Sequence, residues 1–340
     1  SWGGVTINGG AGSPETRIAH AYFEGNNSTC LQVTAGTVYF DNLTFGTTAR
    51  QYLSLDGASF LVQNCNFPTT TAAFEPVHGS LGIKSGGRGV FARNFFGAAN
   101  GYNDVVDFTG GKRPSPIVHF LDNVFIGSGD DHLDLDDTDA WVEGNIFLHA
   151  HKNGSPDSAS AISGGSDIAQ PSAVTIRGNI FFDCDQMAMA KQGDFFTLQN
   201  NTMVRQSRQG GTETSAGVIR LSDEGVAEGA GMYLAGNIIV DGEVLVLERT
   251  NAVVTITNNL IHQVAGAAWT GPGGNNQTNN PLFVYVPSVA ETTNFTTWQA
   301  AQVMREWFSL REGSPARGSG PNQADLGGQI ARGITVSGEP

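Results

Sequence analysis

The chain has 340 residues and carries 32 acidic against 18 basic side chains, a formal charge of −14 at pH 7. This acidic balance argues against a nucleic-acid partner, because nucleic-acid phosphates bind basic surfaces. No apolar run approaches the roughly 20 residues of a membrane-spanning helix, so we expect no membrane span.

The first 40 residues contain two weak strand patterns, VTINGG and LQVTAGTVYF. Cys30 lies in this region, and Cys65 and Cys184 follow it. An odd number of cysteines without a CxxC motif indicates neither a zinc site nor a disulfide framework. A single bridge between Cys30 and Cys65 and three buried free thiols both remain open from the sequence.

An asparagine flanked by apolar residues recurs nine times along the chain. Four of the eight gaps between successive copies are equal, and each of the other four is longer. A constant minimum indicates a repeating unit of fixed length, with insertions confined to loops. The nine copies are Asn42, Asn64, Asn94, Asn123, Asn145, Asn179, Asn201, Asn237 and Asn259.

Each repeat contains three short strands with alternating apolar residues. Three strands in a repeat as short as the gap from Asn42 to Asn64 are typical of a parallel β-helix. A β-propeller blade needs about 40–45 residues, and the leucine-rich repeat pattern is absent. We therefore predict an all-β fold, a single-stranded right-handed parallel β-helix of about ten rungs. Asparagine tolerates the left-handed backbone of a tight corner, and its amide can bond to asparagines on neighbouring rungs.

Carboxylates are concentrated in the middle of the chain. The segment NDVVDF contains Asp104 and Asp107, and SGDDHLDLDD follows one repeat later. Because side chains alternate along a strand, Leu133 is predicted to face the interior, and its neighbours His132 and Asp134 to face outward. Asp107 faces outward by the same pattern. Rungs are about 4.8 Å apart, so Asp107 and Asp134 are expected to be neighbours.

Several carboxylates in one place repel one another and require a cation, shared protons or a basic partner. Oxygen ligands in variable number favour Ca²⁺, although a Ca²⁺ that only stabilises the fold is an alternative. Basic residues follow on the same face of later rungs, and such a face suits a charged linear ligand. The candidate metal ligands are Asp104, Asp107, Asp130, Asp131 and Asp134, and the basic residues are Lys191, Arg220 and Arg249.

The segment 103–201 resembles the core of family 9 polysaccharide lyases, the calcium-dependent pectate lyases. That family has Asp-Gly at the entry to one strand, D-D-x-x-D at the entry to the strand one rung later and a lysine strand on the next rung. Residues 103–104 (ND) stand at the first element, and residues 130–134 (DDHLD) match the second at identical internal spacing. The third departs from the pattern, because SAISGG (160–165) has Ala161 or Ile162 where the family has its catalytic lysine. The Ca²⁺ ligands that the resemblance implies are Asp104, Asp130, Asp131 and Asp134.

The resemblance also implies β-elimination on a uronic-acid polysaccharide. In that reaction, C5 of the sugar loses a proton to a base while Ca²⁺ stabilises the charge that develops. Lys191 is the first candidate base and His132 the second. Arg220 is predicted to pair with a second sugar carboxylate. Further candidates on the turn after the acidic strand are His149, His151 and Lys152.

Two other functions remain open from the sequence. A glycoside hydrolase or epimerase would use paired carboxylates such as Asp107 and Asp131 as acid and base, and GDD at 129–131 also occurs in polygalacturonase-like β-helices. A non-catalytic carbohydrate-binding or cell-surface module would explain the missing lysine. In each case we expect an acidic polysaccharide as partner, a secreted or cell-surface bacterial protein, and a monomer, with membership of a larger multidomain protein left open.

The repeat is predicted to stop after Asn259. Residues 298–310 show the helical spacing of apolar residues, and NNPLFV with REGSPARGSGPNQADLGG resembles a closing rung common in secreted bacterial β-helix proteins. We predict a β-helix over residues 1–278. A closing rung, a short helix and a tail over 279–340 are predicted to pack on the end of the β-helix, where edge backbone needs cover.

Overall fold

A computed structural model describes residues 1–46, 50–151, 159–166, 170–206, 217–222, 226–247, 250–265 and 268–328. In these residues the chain winds as a parallel β-helix, so the predicted fold class is confirmed. Each rung contributes one strand to each of three sheets, which we call the first, second and third sheet in chain order. None of the helices in these ranges has the length and apolar character that a membrane crossing requires.

The strands of each sheet pair in parallel with their counterparts on the adjacent rungs, and Leu53–Gln63 is long enough to belong to two sheets. The first sheet contains Val5–Asn8, Leu31–Thr34, Leu53–Gln63, Val77–Ile83, Val106–Phe108, Leu133–Asp134, Ser160–Gly164, Gln186–Ala190, Ile219–Arg220 and Val246–Leu247. The second contains Thr16–Ala19, Thr37–Asp41, Leu53–Gln63, Gly89–Ala92, Val118–Leu121, Ala140–Glu143, Ala173–Arg177, Phe195–Gln199, Gly231–Ala235, Val253–Thr257 and Gly273–Gly274. The third contains Tyr22–Phe23, Thr44–Phe45, Asn66–Phe67, Phe95–Phe96, Val124–Phe125, Ile146–Leu148, Ile180–Phe182, Thr202–Val204, Ile238–Gly242 and Leu260–Val264.

Stacked phenylalanine rings fill the interior along the third sheet. Successive ring centroids are 4.7 to 5.7 Å apart, close to the spacing of the rungs themselves. The stacked rings are Phe23, Phe45, Phe67, Phe96, Phe125, Phe147 and Phe181.

All three cysteines are buried and free, which decides against a bridge between Cys30 and Cys65.

Buried asparagines form a hydrogen-bonded ladder at the corner between the second and third sheets. At each step the backbone N–H and the side-chain amide of one asparagine donate to Oδ1 of the next, at 2.8 to 3.1 Å. The same amide reaches a second-sheet carbonyl, as from Asn145 Nδ2 to Phe120 O at 2.8 Å. The ladder runs through Asn94, Asn123, Asn145, Asn179, Asn201, Asn237, Asn259 and Asn276.

The sequence assigns both the left-handed corner and the hydrogen-bonded ladder to one asparagine of each repeat. In the structure, two neighbouring residues have these two roles. Asn42 and Asn64 have positive φ angles and form the left-handed corner, and the next residue, Leu43 or Cys65, occupies the ladder position. On later rungs the corner residue precedes the ladder asparagine in the same way. Asn276 extends the ladder by one step beyond Asn259, at a spacing shorter than the minimum gap of the repeat.

The C-terminal segment packs along the side of the β-helix, whereas the sequence predicts packing on its end. It contains the short helices Val289–Thr292, Trp298–Ala301 and Val303–Trp307 and the 3₁₀ turn Pro321–Gln323. The outer face of the third sheet is apolar and contacts this segment, so it would otherwise be exposed to water. The apolar residues that share this contact are Phe95, Val124, Ile146, Leu148, Ile180, Phe182, Phe283, Ala301, Met304 and Phe308.

Polar contacts fix the position of this segment on the third sheet. Trp298 Nε1 donates to Asp122 O at 2.6 Å, and Arg305 Nη2 lies 2.6 Å from Asp122 Oδ1. Further along, the Gly328 N–H donates to Thr202 Oγ1 at 2.9 Å. The segment therefore crosses several rungs and ties them together.

We expect Asn201→Ala to destabilise the fold by about 2–4 kcal/mol, because it removes a ladder step and leaves buried amide and carbonyl groups unsatisfied. Asn200→Gly is the matched control, since Asn200 is the adjacent corner residue with φ 53° and glycine adopts that angle freely. The control should change stability by less than about 1 kcal/mol. Urea denaturation followed by circular dichroism measures both, and equal losses would contradict the ladder's role.

Candidate functional site

Three aspartates meet at the turn that leads into the first sheet, and we call Asp104, Asp130 and Asp131 the aspartate triad. One carboxylate oxygen from each lies within 4.8 Å of the other two. Backbone bonds hold two of the side chains, since Asp131 N donates to Asp104 Oδ1 at 2.8 Å and Ser160 N to Asp131 Oδ1 at 2.6 Å. Asp104 precedes the strand Val106–Phe108 and the other two precede the next strand of the sheet, so strand pairing creates the triad.

The electrostatics of the triad favour a bound cation. Burial raises the pKa of Asp104 well above its usual value, and the charges of Asp131, Asp134 and Asp130 raise that pKa further. A set of hard carboxylate oxygens in a partly buried site suits Ca²⁺ better than a soft metal. The residues present therefore fit the predicted cation.

Asp134 lies just beyond the triad on the same strand. Its pKa is raised to about 7, first by burial and then by the charge of Asp136, while Lys191 opposes the rise. Its Oδ1 atom is buried and has no hydrogen-bond partner among the described residues. A buried carboxylate oxygen without a donor is costly, and a cation or a bound hydroxyl would relieve it.

Asp107 is the register partner of Asp134, as the sequence predicts, but it belongs to a different group. His78 Nδ1 lies 3.2 Å from Asp107 Oδ2 and 3.2 Å from Glu75 Oε2. Hydrogen bonds to Asp107 and Glu75 raise the pKa of His78 to about 10, so the ring is cationic at neutral pH. The structure thus pairs Asp107 with a histidine outside the triad.

Neither His78 nor Glu75 belongs to the residues that the sequence pattern indicates. Aligning the strands of successive repeats could have found His78. It pairs with Asp107 on the next rung, and the separation of the two residues in sequence falls within the range of the gaps between repeats.

Lys191 directly follows its first-sheet strand, Gln186–Ala190, whereas the triad residues precede theirs. Lys191 and the triad therefore lie at opposite ends of the first-sheet strands. The register places it in a column with Asp136 and Gly165, and a Cβ at Gly165 would lie 3.2 Å from Asp136 Oδ1. Its charge acts on Asp134, which shows that the ammonium approaches the acidic column. Asp136 follows Asp131 by five residues, a distance of about 16 Å along an extended strand. The structure therefore brings Lys191 to Asp134 and Asp136 and separates it from the triad.

Two other predicted site residues face differently from the prediction. His132 is fully buried, with its ring centroid 5.8 Å from that of Phe125 and 5.7 Å from that of Phe147. The outward orientation predicted for it is wrong, and burial lowers its pKa to about 3. Arg220 occupies the outward column by register but is only 2% exposed, which leaves no surface for contact with a polysaccharide. Lys152, Glu248 and Arg249 lie outside the described residues.

No known protein family matches the chain by sequence, and no curated protein matches it. A solved structure titled "Rhamnogalacturonan lyase" is similar to it, with 13% sequence identity and a TM-score of 0.44. The similarity covers 90% of this chain and 84% of that chain. A similarity of this size carries no information on activity or substrate.

The raised pKa of Asp134 predicts a pH dependence of stability. Between about pH 4 and pH 7 the folded protein retains a proton on Asp134 that the unfolded chain has released. This contribution to stability is present at the acidic end of the window and is lost as pH rises. In a chelator, the melting temperature of wild type minus that of Asp134→Asn should therefore fall as pH increases from about 5 to 7. If the difference in melting temperature stays constant with pH, or increases with pH, the pKa of Asp134 is not raised in the folded protein.

Proposed function

We propose that this protein binds Ca²⁺ at the aspartate triad and, through it, an anionic uronic-acid polysaccharide that it cleaves by β-elimination. The observation that carries the proposal is the convergence of Asp104, Asp130 and Asp131, whose oxygens lie within 4.8 Å of one another. The raised pKa of Asp104 supports it, because burial and then the charges of the neighbouring carboxylates disfavour the ionised form, and a bound cation would favour that form.

The first sheet supplies a surface that suits a linear charged ligand. His78, Asp107 and Asp134 are register partners on three successive rungs about 4.8 Å apart, a spacing comparable to that of sugar units in a chain. The next rung has Ser163 in this column, and Lys191 lies on the rung after it, in the adjacent column of Asp136. We also propose a secreted or cell-surface location, where such polysaccharides occur.

The reaction would remove the C5 proton of a uronic acid and break the C4–O bond. The C–H electrons form the C4–C5 double bond, and the departing oxygen takes up a proton. Bound Ca²⁺ would hold the carboxylate of one sugar of the chain at the triad. Lys191 is the proposed base when its amine is neutral. Because Lys191 is separated from the triad, it would take the proton from another sugar of the same chain, one seated over Asp134 and Asp136.

A non-catalytic carbohydrate-binding module is the second candidate, and one observation favours it. Ser163 is the register partner of Asp134, and it stands in the segment where family 9 lyases have their lysine. A serine does not remove a carbon-bound proton without an activating base. Under this alternative, the triad and the charged face would hold the polysaccharide without cleaving it.

Asp130→Asn should weaken Ca²⁺ binding at least about tenfold, because it removes one charge from the triad while leaving the backbone bonds of Asp104 and Asp131 in place. Isothermal titration calorimetry with CaCl₂ measures the change. Asp56→Asn is the control, since Asp56 lies on the first sheet beside Ser80 and outside the triad. Equal affinity in wild type and Asp130→Asn would remove the triad from the proposal.

Lys191→Met should lower the rate of elimination by about 100-fold or more, with little change in Ca²⁺ binding. The ultraviolet absorbance of unsaturated uronide products, measured on pectate, alginate and other polyuronates, reports the reaction. Lys84→Met is the control, because Lys84 Nζ donates to Gly10 O on the N-terminal rungs. New reducing ends without that absorbance would indicate hydrolysis, and binding without any product would favour the non-catalytic module.

A further inference from the structure

A cluster of two histidines and two aspartates lies on the turn after the third sheet, outside the aspartate triad. The sequence H-A-H at 149–151 sits against D-C-D at 183–185 on the next rung. His149 Nδ1 lies 2.8 Å from Asp183 Oδ2, and His151 Nε2 lies 3.1 Å from the same oxygen. Both rings are about one-tenth exposed, and Asp183 is almost fully buried.

The protonation of His149 is constrained by the C-terminal segment. Thr292 Oγ1 donates its only hydrogen to Val289 O at 2.8 Å, because a carbonyl can only accept. The same hydroxyl lies 3.0 Å from His149 Nε2, so it accepts a hydrogen bond from the Nε2–H. In the neutral ring, Nδ1 therefore carries the lone pair, and it points at Asp183.

Both ring nitrogens of His151 face carboxylates, which can only accept hydrogen bonds. Asp185 Oδ1 lies 2.7 Å from Nδ1, and Asp183 Oδ2 lies 3.1 Å from Nε2. When the neutral ring gives its hydrogen to the nearer oxygen, Asp185 Oδ1, its Nε2 lone pair points at Asp183. A carboxylate that holds the distal nitrogen of a metal-binding histidine is a recurrent arrangement at metal sites. The two nitrogens thus face the same oxygen, Asp183 Oδ2, and the three possible ligand atoms lie within 4.8 Å of one another.

We propose that His149 Nδ1, His151 Nε2 and Asp183 Oδ2 bind a transition-metal ion of the Zn²⁺ type, with Asp185 orienting His151. In tetrahedral coordination with bonds of about 2.0–2.1 Å, ligand atoms are about 3.3 Å apart. The measured separations of 2.8 and 3.1 Å need to widen by a few tenths of an ångström. The imidazole nitrogens select against Ca²⁺, which prefers oxygen, so this site and the triad differ in the metal they take.

Protons are the competing occupants of the same nitrogens. Burial disfavours a charged His151, but hydrogen bonds to Asp183 and Asp185 outweigh it and raise its pKa to about 9. Without a metal, the cluster is therefore an ion pair that links two rungs to the C-terminal segment. A cluster that binds a metal takes up one ion per chain, whereas a cluster that holds only protons takes up none. Metal titration therefore distinguishes the two.

The site lies close to the triad through the backbone. Asp185 Oδ2 accepts from Ala159 N at 3.3 Å, and the next residue, Ser160, donates its N–H to Asp131 Oδ1 at 2.6 Å. A metal that fixes Asp185 would thus stabilise the strand start that also positions Asp131. The metal site itself does not depend on the proposed lyase activity.

The test is metal binding by the chelator-treated full chain. Zn²⁺ titration should give one tight equivalent per chain, and Co²⁺ should give the visible absorption of a tetrahedral site, which Zn²⁺ then displaces. Asp183→Asn and His151→Gln should each weaken Zn²⁺ binding about 100-fold, and Asp185→Asn about 10–100-fold. Circular dichroism checks that each variant folds, and the Co²⁺ spectrum of wild type requires no substitution at all.

Two controls separate this site from the rest of the molecule. His262→Gln should bind Zn²⁺ as wild type does, because His262 is bonded to Thr278 O elsewhere on the surface. Asp130→Asn should also leave Zn²⁺ binding unchanged while it weakens Ca²⁺ binding. Absence of a tight Zn²⁺ equivalent in folded wild type, or undiminished binding in His151→Gln, would overturn the proposal.

Discussion

The buried asparagine ladder is the interaction on which the rest of the structure depends. Each ladder side chain uses its oxygen to accept two bonds from one rung and its amide to donate to the other neighbouring rung and to a second-sheet carbonyl. From Asn94 to Asn259 these groups are fully buried, so any slip between rungs would leave several of them unsatisfied at once. The ladder therefore fixes the register of successive rungs, and register decides which side chains become neighbours.

The candidate site is a consequence of that register. Asp104 and Asp131 are separated by a full rung of sequence and are brought together by the pairing of Val106 with Leu133. The same pairing puts Asp107 beside Asp134, where its charge adds to the effects of burial and of Asp136 that raise the pKa of Asp134. A fold that holds such groups side by side stores electrostatic repulsion that a cation can relieve. Ligand binding is then favoured by the fold itself, without a large rearrangement.

The sequence predicts the fold well because rung length is a property of spacing alone. It also predicts the triad, because D-D before one strand and D before the previous strand become neighbours in any parallel pairing. It fails at His132, because strict alternation does not hold where the chain turns into a strand. There His132 and Leu133 are consecutive and both buried. It fails at Arg220, which alternation places outward and which is nevertheless only 2% exposed.

The sequence also contains evidence for the position of the C-terminal segment, in strands that depart from alternation of apolar and polar residues. The third-sheet strands read as continuous apolar runs, such as NIFLH and NIFFD, and a strand that is apolar on both faces needs cover on both. Packing on the side of the β-helix satisfies this need. The histidine–aspartate cluster depends on the same docking, since Thr292 reaches His149 across 143 residues of sequence.

The most direct test of the central claim is a crystal structure of the protein grown with CaCl₂, with anomalous scattering used to locate calcium. We expect one anomalous peak, from a calcium ion bound to oxygens of Asp104, Asp130 and Asp131. The Asp134 side chain should face this ion or a water molecule bound to the ion. A well-ordered triad without a peak at saturating Ca²⁺, or calcium bound only elsewhere, would contradict the account.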